Sequence, residues 1–129
     1  MTAKVVTILI GVGLFWPATF AGAHHAFSSE YDENKVVTLK GTVTKIEWTN
    51  PHVFFFIDVV NPDKTVTSWS FELASPNSLT RSGWGRRTLT VGDAVTATGY
   101  AAKSGKTMAS TRSVTTADGK ALFTGTQGI

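Results

Sequence analysis

The sequence predicts an all-β domain with one short helix: a five- to six-stranded, OB-like Greek-key barrel, with a small β-sandwich as the alternative. Three observations carry this. Short runs rich in β-branched residues alternate in phase between clear turn signals. One proline-opened helical segment falls between the third and fourth of these runs. The first run changes phase part-way, and a Gly-Asp turn leads into the fourth, an order that fits a five-stranded barrel.

The elements follow in chain order. Residues 1–23 read as a signal peptide: Lys4 supplies the positive start, Val5 to Trp16 the apolar run, and Ala21-Gly22-Ala23 the small-x-small cleavage pattern. Cleavage after Ala23 makes His24 the mature N-terminus. Residues 24–35 are polar, with Phe27 and Tyr31 as apolar anchors, and are expected to form an irregular arm. The barrel is expected over 36–123 and a tail over 124–129.

Within 36–48, Leu39 and Val43 share one phase while Ile46 and Trp48 share the other, which predicts a bulge or bend near Lys45. Pro51 lacks a ladder donor and marks a break. Residues 52–60 form the strongest strand, with Val53, Phe55, Ile57 and Val59 on one side and His52, Phe54, Phe56 and Asp58 on the other. Asn61-Pro62-Asp63-Lys64 predicts a hairpin turn, and Trp69, Phe71 and Leu73 alternate with Ser68, Ser70 and Glu72 in the next strand. Ser75 is a natural N-cap ahead of Pro76, with Leu79 and Trp84 to be buried and Gly83 as the stop. Further strands are expected over 94–100, 107–115 and 121–123, the last two joined by Asp118-Gly119 in a type I′ turn, with the last strand closing the sheet.

Composition narrows the function classes. Without Lys4, eleven Lys and Arg stand against nine Asp and Glu, and only Arg86 and Arg87 are adjacent. That is not the basic stripe of a nucleic-acid binder. No apolar run reaches the roughly 20 residues of a membrane span. With no cysteine, disulfides, thiolate metal sites and cysteine nucleophiles are all absent. The serines have no histidine at a suggestive spacing and the carboxylates form no recognisable acid–base pair, so a non-enzymatic protein of the periplasm or extracellular space is expected, with a protein partner in the cell envelope.

The strings His24-His25-Ala26-Phe27, Leu39-Lys40-Gly41-Thr42-Val43 and Glu47-Trp48-Thr49-Asn50-Pro51-His52 occur in that order. Ser75-Pro76-Asn77-Ser78-Leu79, Gly83-Trp84 and Gly92-Asp93 follow them. This set resembles the exported bacterial proteins catalogued as domain of unknown function 6152. The resemblance implies a short exported protein and brings no activity or catalytic residues with it.

Two candidate sites emerge. The first is His24, His25 and His52. An N-terminal amine, the imidazole of the same residue and a distant second imidazole form a three-nitrogen set suited to Cu(II). Zinc fits less well, because closed tetrahedral sites take four protein ligands. The plainer reading is that His52 only hydrogen-bonds its own turn. The second candidate is an aromatic strand face made by Trp48, Phe54 and Phe56, with Trp84, which would hold a protein or a small apolar or glycan ligand. The plainer reading is that the arm, through Phe27 and Tyr31, covers that face.

Overall fold

The computed structural model describes the backbone of residues 21–124 and the side chains of 26–122. Residues 1–20 of the expected signal peptide, residues 125–129 of the expected tail, and the side chains of His24 and His25 lie outside the described residues. Among the described residues eight elements run in order: α1 (Ala21–Glu30), β1 (Tyr31–Glu47), β2 (Phe54–Val60), β3 (Val66–Glu72), α2 (Pro76–Arg81), β4 (Ala94–Ala102), β5 (Met108–Thr116) and β6 (Ala121–Thr124).

The strands pair in the order β3-β2-β1-β4-β5-β6, and β3 also pairs with β5 in parallel, Ser70 to Glu72 against Met108 to Ser110. That second contact closes a ring of five strands in the order 1-2-3-5-4, with α2 between β3 and β4, which is the connectivity expected of an OB-type barrel. Closure falls to β3 and β5; β6 pairs only with β5 and lies outside the ring, so the last strand does not close the sheet.

Local chemistry explains each element. The β1–β2 register slips between Val43 and Lys45, where the phase of the sequence changes. The bulge lets Val43 and Ile46 both face inward, opposite Ile57 and Phe55. The Val43 backbone also bonds to the 90–93 turn, donating to Asp93 O (2.8 Å) and accepting from Gly92 N (2.8 Å). Ser75 caps α2 by accepting from Ser78 N (3.2 Å), Pro76 opens the helix, and Gly83 ends it at φ 89°. Val53, Phe55, Ile57, Phe71, Leu73, Leu79, Trp84, Leu89, Ala97 and Val114 belong to the buried core. At the core's centre Phe55 and Phe71 stack 5.2 Å apart.

Two local expectations give way. Residues 24–35 are regular: α1 runs to Glu30 and β1 begins at once, with Tyr31 opposite Ala102 and a register irregularity before Val36 resumes opposite Tyr100. Polar composition concealed a segment whose order comes from docking on β4. The β5–β6 turn is not type I′, because only Gly119 has positive φ (85°) while Asp118 does not. Gly119 N donates to Thr116 O (3.0 Å) and Thr116 N to Lys120 O (2.9 Å), and the register slips at Val114/Thr115. A tight turn followed by a left-handed glycine and a bulge serves the hairpin here.

Candidate functional site

The outer face of β2 and β3, next to the seam where the barrel closes, brings together residues far apart in sequence. Leu73 N donates to Val53 O (2.7 Å) and Val53 N to Ala74 O (3.0 Å), so strand pairing extends back to the residue after His52. Inward Val53 leaves His52 and Phe54 outward, and Phe54 lies directly opposite Glu72. The 48–53 loop reaches this point through a cis Asn50–Pro51 bond.

Glu72 is the hub. Its Oε1 contacts His52 Nδ1, and its Oε2 accepts from the Tyr31 hydroxyl. The Glu72 side chain is 11% exposed and Tyr31 as a residue only 3%, whereas the His52 side chain is 42% exposed. A buried carboxylate is costly unless its lone pairs are used, and here two neighbours use them. A carboxylate on Nδ1 assigns the proton to that nitrogen and the lone pair to Nε2. The outcome is an oriented imidazole with its acceptor nitrogen on the part-exposed ring. Burial, reinforced by the hydrogen bond to Glu72, pushes the Tyr31 phenol far above its ordinary range and keeps it neutral.

The N-terminal segment holds Tyr31 in place. Phe27 lies 5.6 Å from the Tyr31 ring and 5.8 Å, edge-on, from Tyr100. Lys103, just after β4, donates from Nζ to Ser28 O (2.5 Å) and from its backbone N to Glu30 O (2.9 Å), tying down the end of α1. The arm therefore packs on Tyr100 of β4 and Glu72 of β3, across the seam. Phe54 and Phe56 keep part-exposed rings on β2, with Lys45 Nζ 5.2 Å from the Phe56 ring centre and paired to Glu47.

The predicted site residues separate into three places. His52, Phe54 and Phe56 share the outer strand face. Trp48 packs against the core instead. Trp84 is buried, and its Nε1 donates to Leu122 O (2.7 Å), so it anchors β6 rather than lining a binding face. His24 and His25 belong by backbone to α1, with His24 one turn ahead of Phe27. Among the described residues, no group of three His, Cys, Asp or Glu is gathered as a metal cluster. Glu72 and Tyr31 escape the sequence reading as site residues: Glu72 stands in a polar slot of an alternating strand and Tyr31 reads only as an apolar anchor. A cleft of about 530 Å³ lined by Lys40, Gly41, Asp58 and Thr96, among others, lies at the opposite end of the strands and contains none of the expected residues.

A family model described as a family of unknown function, DUF6152, matches residues 13–111 of the chain. No curated protein and no solved structure matches it.

Proposed function

We propose, from the premise that the chain belongs to the DUF6152 family of unknown function, that it is an exported copper-binding accessory protein. The ligands in this reading are the amine and imidazole of His24, freed by cleavage after Ala23, and Nε2 of His52, with His25 assisting. One observation carries the reading: Glu72 engages Nδ1 of His52 while the ring stays part-exposed. Histidines that bind metals commonly donate their other nitrogen to a carboxylate, which fixes the tautomer and raises ligand basicity. A second support is that α1, the helix containing position 24, is anchored beside the same carboxylate through Phe27 and Tyr31. A nitrogen-rich, open set favours Cu(II) over zinc.

The test is Cu(II) titration of protein whose chain starts at His24. One equivalent should bind, and an extra residue ahead of His24 or His52→Ala should abolish tight binding. Glu72→Gln should weaken it about tenfold or more, the usual cost of losing such a carboxylate. Equal affinity in the extended form and in His52→Ala refutes the reading.

A second reading is favoured by a different observation, the adjacent part-exposed rings of Phe54 and Phe56 on the outer face of β2. In OB-type barrels the β2–β3 face is a common ligand surface, so this face would hold a protein, or a small apolar or glycan ligand. If Phe54→Ser removes partner retention and leaves copper affinity unchanged, this second reading prevails.

A further inference from the structure

Three of the four arginines in the chain, Arg81, Arg86 and Arg87, fall within seven residues, whereas the eight lysines are scattered. All three are exposed, and among the described residues neither ion pair involves them; those two join Lys45 to Glu47 and His52 to Glu72. The segment that carries them is not loose. Trp84 is buried, its backbone N bonded to Leu79 O (2.9 Å) and its indole to Leu122 O (2.7 Å). Thr88 N donates to Gly85 O (3.1 Å) and Gly85 N donates to Thr88 Oγ1 (2.8 Å), so the turn is closed from both ends. Leu89 is buried directly after it. Arg86 and Arg87 are thus the two corner residues of a turn pinned between a buried tryptophan and a buried leucine.

Gly85 adds an independent observation. Its φ is not positive, and a Cβ built on it meets nothing within 4 Å. Neither conformation nor packing calls for glycine there. Its effect is to leave bare backbone beside two guanidiniums, as a close-approaching ligand requires. Asp93, the nearest carboxylate along the chain, is occupied within its own turn by the Thr90 N–H and hydroxyl (2.9 Å each).

We propose that the Gly85–Thr88 turn is a docking surface for the phosphate headgroups of an anionic membrane. Guanidinium is the side chain whose fixed fork matches phosphate oxygens. The arginines stand on an exposed turn with bare backbone on one side, suiting separate phosphates spread over a surface rather than one enclosed ion. Val91, 67% exposed four residues on, adds apolar area of the kind that accompanies basic residues at lipid surfaces. This inference is independent of copper binding.

The test compares binding of the full chain to phosphatidylcholine vesicles with and without phosphatidylglycerol at near-physiological salt. The ratio of the two affinities cancels whatever the apolar N-terminal run contributes to both. Arg86→Gln with Arg87→Gln should lower that ratio about 25-fold, roughly fivefold per cation lost near an anionic surface. Lys35→Gln with Lys64→Gln, the same charge change elsewhere, should leave it nearly unchanged. Two outcomes overturn the proposal: an equal drop in the lysine variant, or loss of the preference when inorganic phosphate replaces chloride at constant ionic strength, which would mark a free-anion site.

Discussion

A carboxylate withdrawn from water needs partners, and Glu72 takes its two from residues 41 and 20 positions away. Tyr31 is the more telling, because burial and Glu72 together push its phenol well above the ordinary 10.0. The sign follows from linkage. The unfolded phenol ionises near 10 and the folded one resists, so the stabilisation is intact below pH 10 and is lost as pH rises beyond it. Thermal melting of the wild type should therefore fall above about pH 10, and Tyr31→Phe should remove that alkaline component while Tyr100 remains. A profile unchanged by Tyr31→Phe would contradict this. A second residue is in the opposite position: Thr111 is fully buried, and its hydroxyl has no hydrogen-bond partner among the described residues. Thr111→Val keeps the shape and removes the unpaired group, so urea denaturation should show a gain of about 1 kcal/mol. None of this was legible in the sequence. Glu72 occupies a polar slot of an alternating strand, where a solvated side chain is the ordinary expectation, and only barrel closure brings Tyr31 over it.

At the scale of elements, signals that are local in origin read through well. The alternation of residues 52–60 matches a strand buried on one face, the phase change near Lys45 matches the β1 bulge, and Ser75-Pro76 opens α2. Signals that depend on docking do not. α1 carries no acidic residue in its first turn, no basic one in its last and no apolar stripe, so nothing along 21–30 distinguishes it from an arm; Lys103 and Tyr100 supply its hold. β6 is similar: four residues at an edge, fastened from a distance by the Trp84 indole on Leu122 O. Trp84→Phe keeps the ring in the core and deletes that bond. It should cost about 2 kcal/mol or more, the bond plus the space the smaller ring leaves, and speed amide exchange in β6 more than in β1 to β5. Uniform acceleration across all strands would mean that β6 is not held separately.

For the whole molecule, closure of the ring by β3 and β5 is what creates the candidate site. The seam sets Glu72 opposite Ser110, Ser110 pairs with Tyr100, and the N-terminal segment packs across that row to reach Glu72. The same closure explains why four aromatic residues grouped by sequence do not form one face: alternation turns Phe54 and Phe56 outward, while Trp48 packs on the core and Trp84 enters it. The copper reading rests on the chain beginning at His24 beside an oriented His52, and its most direct test is native mass spectrometry of the protein recovered from exporting cells. The expected species begins at His24 and carries one copper ion, which is lost in His52→Ala. A mature chain that begins elsewhere, or one that stays metal-free in excess Cu(II), would contradict it.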